Sequence, residues 1–282
     1  MLLGCHVSVA GGYYRAVERG SDIGCTVVQL FTRNQLRWWS KPIDEDQINR
    51  FKAAFAENSI IDTVFAHGSY LPNLASPNLD IRKKSVLSLK DELDRCDKLE
   101  LPYLVIHPGC HMGIGEKKGI QNIIFSLKEV LEDNESDTLI CIETTAGQGT
   151  GIGARFEHIR DIIGGVDDKR VGSCIDTCHI FASGYDLRTE GEYHRTIENF
   201  HEIVGLERLK VIHLNDSKGV CGSRVDRHMH IGEGNIGVDA FGWILRDKRL
   251  HSVPKVIETP KKKDGREMDH VNLQILRELV GK

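Results

Sequence analysis

Residues 209–234 read LKVIHLNDSKGVCGSRVDRHMHIGEG, a buried strand followed by a polar loop. The apolar run at the start predicts a short strand that ends at His213, with Asn215 close behind it. The loop that follows carries Asp226 and His228. A buried polar group without a partner costs about 1–3 kcal/mol. An apolar run that ends abruptly in imidazole and carboxylate therefore indicates a metal site rather than ordinary core.

The same pattern of a short apolar run followed by a helical segment recurs along the chain. The eight predicted strands are Leu2–Val9, Thr26–Thr32, Ile61–Ala66, Tyr103–His107, Leu139–Thr144, Val171–Asp176, Lys210–Leu214 and Lys255–Glu258. Eight such units in 282 residues, with no break in composition, predict an α/β fold of the (β/α)₈ TIM-barrel type, with residues 1–282 as one domain. A doubly wound sheet is the alternative, but its glycine-rich phosphate turn is absent after the first strand.

Helical periodicity predicts the segments between these strands. The predicted helices are Asp44–Ser59, a helix that starts at Ser76-Pro77 and runs to Leu99, Gln121–Glu132, Arg155–Ile163, Thr196–Val204, Asp239–Arg246 and Met268–Val280. Ser76 is the predicted N-cap of the second helix, with Pro77 at its first helical position. The GQGTGIG segment at 147–153 lacks the Lys-Ser/Thr pair of a P-loop, which favours a flexible loop after a strand.

Composition says more about the cellular location of the protein than about its binding partner. No apolar run reaches 18 residues and the first residues lack the features of a signal peptide, which predicts a cytoplasmic protein with no membrane contact, associated with the nucleoid or, in a eukaryote, nuclear. The eight scattered cysteines indicate reduced thiols, and Cys174 and Cys178 beside His179 form only a weak zinc pattern. The formal charge of −4 neither supports nor excludes a phosphate-rich partner, because bound divalent ions would offset it.

Six consecutive predicted strands end in a side chain that can bind a metal. These side chains are His67, His107, Glu143, Asp176, His213 and Glu258. The carboxyl ends of parallel barrel strands open on one face, so the six are expected to converge. Imidazoles mixed with carboxylates suit zinc, and also manganese or iron. Six ligands exceed the shell of one zinc, and His179, Asp226 and His228 remain. We therefore expect a two-metal centre with a third ion beside it, an arrangement typical of phosphoester hydrolysis.

Several longer motifs resemble the endonuclease IV family of apurinic/apyrimidinic endonucleases. They are HVSVAGG (6–12), HGSYL (67–71), LVIHPG (104–109), IETTAGQG (142–149), CIDTCH (174–179), HLNDSK (213–218), GSRVDRH (222–228), IGEGNIG (231–237) and IETP (257–260). The resemblance extends over the whole chain. It implies a TIM barrel with three zinc ions, for which manganese could substitute, and with abasic double-stranded DNA as substrate.

The resemblance also implies which residues would bind each of the three metal ions. The first ion would take His67, His107 and Glu143, the second would take Glu143, Asp176, His213 and Glu258, and the third would take His179, Asp226 and His228. Glu143 and Glu258 would be the catalytic carboxylates, Glu143 as the bridge and Glu258 orienting a hydroxide between the first two ions. The implied reaction is hydrolysis 5′ to the abasic site, which leaves a 3′-hydroxyl and a 5′-deoxyribose phosphate, with 3′-end cleaning as a secondary activity.

DNA contacts are expected on the loops around this centre. Interleaved basic and aromatic residues in FTRNQLRWWS (31–40) suit nucleic acid. The resemblance assigns Tyr70 and Leu71 to the space left by the flipped sugar. Many relatives have Arg directly after Asn-Gln, whereas this chain has Leu36 and then Arg37, and the sequence leaves open which of the two enters the base stack. The remaining candidates are Asn34, Gln35, Asn215, Lys218, Arg224 and Arg227.

Two alternative functions would explain only part of this pattern. A sugar isomerase or epimerase with a two-metal site would explain Glu143, Asp176, His213 and Glu258, but not the remaining donors. A non-catalytic binder of damaged DNA would not require complete ligand sets. We expect a monomer, since the protein must wrap one duplex.

Overall fold

A closed barrel of eight parallel strands forms the centre of the protein, which a computed structural model describes over residues 1–132 and 134–281. The barrel strands are β1 (Leu3–His6), β2 (Val27–Phe31), β3 (Thr63–His67), β4 (Tyr103–Ile106), β5 (Leu139–Glu143), β6 (Val171–Asp176), β7 (Leu209–His213) and β8 (Lys255–Ile257). β8 pairs in parallel with both β7 and β1, which closes the sheet. The predicted TIM barrel is therefore confirmed.

Helices surround the barrel and cover the outer faces of its strands. They are α1 (Tyr14–Ile23), α2 (Glu45–Glu57), α3 (Leu79–Lys98), α4 (Glu116–Glu132), α5 (Phe156–Val166), α6 (Thr177–Ser183), α7 (Glu190–Ile203), α8 (Val238–Arg246) and α9 (Asp269–Val280). A large apolar cluster lies between the helices and the strands. In the described parts of the chain, no helix is both long and apolar enough to cross a membrane.

Several helix boundaries differ from the prediction. The Ser76-Pro77 start is wrong: Asn78 caps α3 by accepting from the N–H groups of Asp80 and Ile81 at 2.9 and 3.1 Å. Ser76 Oγ instead accepts from the Asn78 N–H in the turn before the helix. α4 and α7 begin earlier than predicted, because their first turns are charged and show little apolar periodicity. α1 and α6 were not predicted.

A separate apolar cluster inside the barrel explains the direction in which the polar side chains point. Seven strands each place one buried side chain in this cluster, and its members are Val27, Phe65, Val105, Cys141, Cys174, Val211 and Val256. Side chains of a strand alternate between its two faces, so the residue two positions further along points the same way. Those residues are Gln29, His67, His107, Glu143, Asp176, His213 and Glu258. With His6 of β1, we call this set the polar layer.

Candidate metal centre

The nine predicted metal donors lie together at the carboxyl ends of the barrel strands. In each of three groups the donor atoms lie within 4.8 Å of one another. The groups are His67, His107 and Glu143; Glu143, Asp176, His213 and Glu258; and His179, Asp226 and His228. Glu143 belongs to two of them. These are the groupings that the family resemblance implies.

Glu143 is the centre of this arrangement. Its Oε2 lies 3.1 Å from His67 Nε2 and 3.0 Å from His107 Nε2. Its Oε1 lies 3.0 Å from His213 Nδ1 and 3.3 Å from His179 Nδ1. A fully buried carboxylate thus has imidazole rings from four other segments around it. It is placed to be shared between two ions.

The third group is assembled by local structure rather than by a barrel strand. Asp176 Oδ1 caps α6 by accepting from the His179 N–H at 3.0 Å, which turns His179 back into the site. The antiparallel pairing of Asp216–Ser217 with His228–Met229 returns the polar loop to the barrel. His179 Nε2 and His228 Nε2 then lie 3.2 and 3.4 Å from Asp226 Oδ1. Helix capping and a short β-pairing therefore complete the donor set.

The ionisable groups of the site perturb one another strongly. Burial alone would raise the pKa of Glu143, but the charges of His107 and His213 hold the pKa well below its usual value. Burial likewise opposes ionisation of Glu258, yet His213 and His67 lower its pKa to about 2. Burial would lower the pKa of His213, but Cys174, Glu258 and Glu143 raise it well above its usual value. Concentrated negative charge in a buried place therefore requires compensating cations.

Hydrogen bonds on the far side of three of the rings orient these imidazoles. The Nδ1–H groups of His67 and His179 donate to the carbonyls of Gly68 and Thr144, both at 2.8 Å. The Nδ1–H of His228 donates to the carbonyl of Glu258 at 3.2 Å. In a neutral ring the second nitrogen then carries a lone pair. Outer hydrogen bonds of this kind fix the tautomer of metal-binding histidines.

The inward-facing nitrogens fit a divalent cation. His228 Nε2 is buried and has no hydrogen-bond partner among the described residues. It points toward carboxylate oxygens of Asp176 and Asp226 at 3.5 and 3.4 Å. A lone pair that faces carboxylate oxygens is repelled unless a proton or a metal cation lies between them. The residues present therefore fit bound metal, and imidazole with carboxylate suits zinc or manganese.

Cys178 is the one cysteine that joins a possible metal-binding group in the part of the chain that the structure describes. It groups with Asp176 and His228 within the same 4.8 Å limit. Burial, and then the charge of Asp176, raise the pKa of its thiol to about 12. The thiolate is the form that binds metal. Cys178 is thus a poorer donor than the neighbouring imidazoles, and Cys174 joins none of these groups.

Gln29 is a buried site residue that the sequence reasoning missed. His213 Nε2–H donates to Gln29 Oε1 at 2.8 Å, which leaves His213 Nδ1 facing Glu143 and Glu258. Gln29 Nε2 donates to Glu258 Oε1 at 2.5 Å and to His6 Nδ1 at 2.9 Å. Burial lowers the pKa of His6 to about 3, which keeps this ring a neutral acceptor. The spacing of two residues from Val27 was the signal that could have revealed Gln29.

The prediction that Asn215 contacts DNA is corrected. Its side chain is 0% exposed, and its amide is used at both ends inside the centre. Nδ2 donates to Asp176 Oδ2 at 2.6 Å, and Oδ1 accepts from the Glu258 N–H at 2.7 Å. Asn215 therefore orients two carboxylates, which are themselves candidate ligands, and its side chain has no exposed surface to offer to a phosphate.

The other predicted DNA contacts lie on loops that surround the centre. Leu36 and Tyr70 are 71% and 56% exposed. Tyr70 also packs its ring near those of His67 and His107, with centroids 5.9 and 6.1 Å apart. Exposed side chains in this set also include Asn34, Arg37, Lys218, Arg224 and Arg227, whereas Gln35 and Leu71 are half-buried. These contacts with DNA stay predictions.

Comparison with known proteins places this site in a family. A family model described as a xylose isomerase-like TIM barrel matches residues 17–279. A protein named probable endonuclease 4 from Chloroflexus aggregans is 45% identical over 279 residues, which cover 98% of this chain and 97% of that protein. The crystal structure of endonuclease IV from Thermus thermophilus superposes with a TM-score of 0.86 at 31% identity, over 100% of this chain and 99% of that one.

A sugar epimerase shares the fold at lower similarity. The structure of D-psicose 3-epimerase from Clostridium cellulolyticum covers 100% of this chain and 92% of its own, with a TM-score of 0.67 and 21% identity. Identity at that level shows a common fold alone. The 45% identity with the protein named probable endonuclease 4, in contrast, covers 98% of this chain. The chain therefore belongs to the endonuclease IV family of nucleases.

Proposed function

We propose that this protein is a DNA-repair endonuclease that hydrolyses the phosphodiester bond 5′ to abasic sites in duplex DNA. The products would be a 3′-hydroxyl and a 5′-deoxyribose phosphate, and the same chemistry would clean blocked 3′ ends. We further propose that the enzyme acts as a monomer in the cytoplasm, at the nucleoid. These proposals go beyond membership of the family, which supports a nuclease.

One observation carries the proposal: a third donor group stands beside the pair that shares Glu143. The third group, His179, Asp226 and His228, is complete, and its Nε2 and Oδ1 atoms face one another. Three clustered dications require an anionic substrate, and phosphate esters meet that requirement. A neutral sugar would gain little from the third ion.

The donor groups would hold three zinc ions, and manganese could substitute. Bound ions supply a nucleophile near neutral pH by lowering the pKa of water, and they stabilise charge on the leaving oxygen. Gln29 Nε2 donates to Glu258 Oε1, and Glu258 Oε2 lies 3.3 Å from His213 Nδ1, so this carboxylate is oriented into the second donor group. Asn215 fixes the orientation of Asp176 and of the Glu258 backbone. Glu143 offers one oxygen to each side of the centre.

A sugar isomerase or epimerase is the rival function on this barrel. It would use the group of Glu143, Asp176, His213 and Glu258 and leave the third group without a role. Elemental analysis separates the two functions. About three metal ions per chain support the nuclease, and one or two support the isomerase.

A nicking assay on a duplex with a single abasic site tests the proposed activity. We expect incision 5′ to the site, complete loss with a strong chelator, and recovery when zinc or manganese is restored. Circular dichroism of the chelated protein should show a folded barrel, since burial of apolar side chains holds the fold. Metal-independent incision, or no incision by the metal-loaded protein, would contradict the proposal.

A further inference from the structure

A buried ion pair lies beneath two of the loops that surround the metal centre. Arg33 follows β2, and Glu92 lies in the middle of α3. Their side chains are 1% and 2% exposed, and Arg33 Nε lies 2.5 Å from Glu92 Oε1. A buried ion pair of this kind adds little net stability to the fold, because the cost of desolvation offsets the attraction between the charges. Its other contacts are more informative.

Both partners reach the backbone or side chains of the loops. Arg33 Nη1 donates to the Trp38 carbonyl at 2.5 Å, and Arg33 Nη2 donates to Ser69 Oγ at 2.8 Å. Both Glu92 oxygens accept from the Ser69 N–H, at 3.1 and 3.3 Å. One guanidinium therefore bonds to the loop of Leu36 and to the loop of Tyr70 at the same time. We call Arg33 with Glu92 the loop clasp.

The approach of the clasp to the second loop favours glycine at position 68. A Cβ on Gly68 would lie 3.0 Å from Glu92 Oε2 and 3.0 Å from Ile106 Cγ2. Such contacts are tighter than nine in ten real Cβ contacts, so Glu92 or Ile106 would have to shift by a few tenths of an ångström. The HGSYL segment therefore places a residue without a side chain where the carboxylate of Glu92 comes closest.

One face of α3 supplies the rest of the support. Arg95 Nη2 donates to the carbonyls of Ser40 and Lys41 at 3.2 and 2.7 Å, at the end of the first loop. Lys84 Nζ lies 5.1 Å from the ring centroid of Trp38. Positions 84, 88, 92 and 95 recur at helical spacing and face the same side. Ser88 Oγ also accepts from Arg33.

We propose that the loop clasp sets the position of residues 34–39 relative to residues 69–71, and thereby determines how tightly the enzyme binds abasic DNA. Arg33 and Glu92 are positioning residues, since neither belongs to a donor group. The consequence for DNA rests on the proposed function. The coupling between the two loops is a property of the protein alone.

Arg33→Lys is the sharpest variant. Lysine keeps a positive charge opposite Glu92, but its single ammonium cannot span the Trp38 carbonyl and Ser69 as a guanidinium does. Glu92→Gln is the second variant, since it keeps an acceptor for the Ser69 N–H and removes the charge. Asp94→Asn is the matched control on the same helix, where Asp94 forms an exposed pair with Lys98.

The first readout is amide hydrogen exchange at residues 34–39 and 69–71, which needs no substrate. Arg33→Lys should speed exchange in both loops, and Asp94→Asn in neither. Faster exchange in only the loop that carries the substitution would overturn the coupling. If Glu92→Gln is folded, it should reproduce the effect from the other partner.

The second readout separates positioning from damage to the site. With an abasic duplex, Arg33→Lys should raise KM about tenfold, the cost of losing a hydrogen bond to a charged group. The value of kcat and the zinc content should be unchanged. A fall in kcat at constant KM would indicate a loss of folded enzyme and would overturn the positioning role. The metal-loaded wild type could fail to incise while Arg33→Lys still speeds hydrogen exchange in both loops. That result would contradict the proposed function but would support the coupling of the two loops by the clasp.

Discussion

The side chains of Glu143, Asp176 and His213 are fully buried, whereas those of Leu36 and Tyr70 on the same face are 71% and 56% exposed. The buried set belongs to the polar layer, where each side chain is aimed by a strand and held by at least one hydrogen bond or ion pair. The exposed loop residues Leu36, Arg37 and Tyr70 form a second set, which we call the rim. We infer that the polar layer governs chemistry and metal affinity, while the rim governs binding of the duplex.

The strongest test of this contrast is Glu258→Gln in the polar layer. We expect incision to slow about a hundredfold to a thousandfold, because a neutral amide no longer aligns the attacking water or completes the charge of the centre. Affinity for an abasic duplex should change little. Single-turnover incision and a binding titration measure the two effects. Glu267→Gln, on an exposed β-pair, is the control. Equal losses of rate and affinity would assign Glu258 a structural role.

A smaller effect on metal affinity is expected from Gln29→Leu. The change removes the acceptor for His213 Nε2–H and the donor to Glu258, so zinc affinity should fall about 10- to 100-fold. Competition with a chromogenic chelator measures this directly. Gln274→Leu replaces an exposed glutamine of α9 and should leave zinc affinity unchanged. Unchanged zinc affinity in Gln29→Leu would show that Gln29 does not orient the ligands.

The two parts of the site also differ in how far sequence alone could predict them. The donors were visible because charged and imidazole groups end apolar strands in phase. Gln29 was hidden because a neutral amide inside VVQLF looks like a solvent-facing residue of a strand. Asn215 was misassigned because burial and hydrogen-bond partners depend on the neighbouring strands, which spacing does not reveal. The cap at Asn78 was missed because Ser76-Pro77 is an equally good local signal, and only the backbone conformation decides between them.

In the rim, Leu36→Ala and Arg37→Ala should have different signatures. If Leu36 acts as an apolar wedge, its truncation should weaken abasic-duplex binding about tenfold at every salt concentration, because shape and burial are lost. If Arg37 contacts phosphate, Arg37→Ala should weaken binding and reduce the salt slope by about one. Binding titrations over a range of salt concentrations distinguish them. A salt slope that changes with Leu36→Ala and not with Arg37→Ala would reverse the assignment.

The smallest expected effect is on the stability of the chelated protein as the pH rises. The raised pKa values of His67, His179 and His213 mean that their ion pairs stabilise the fold fully below pH 6.5 and lose this contribution as the pH rises through the folded pKa values. The lowered pKa values of Glu143 and Glu258 act in the opposite sense, since their contribution is present above 4.5 and is lost only in acid. The chelated protein should therefore lose Tm as the pH rises above 6.5 and through these folded pKa values.

The zinc-loaded protein should not follow that trend. Metal binding requires unprotonated imidazoles, so zinc affinity rises with pH and adds stability where the ion pairs fade. Calorimetric scans of both forms over the same pH range should diverge above pH 7, with the loaded form holding or gaining Tm. Parallel curves would mean that His67, His179 and His213 are already neutral without metal. In that case the buried carboxylates would depend on other hydrogen-bond donors, such as the side-chain amides of Gln29 and Asn215. Substitution of those two residues should then destabilise the chelated protein more than the zinc-loaded protein.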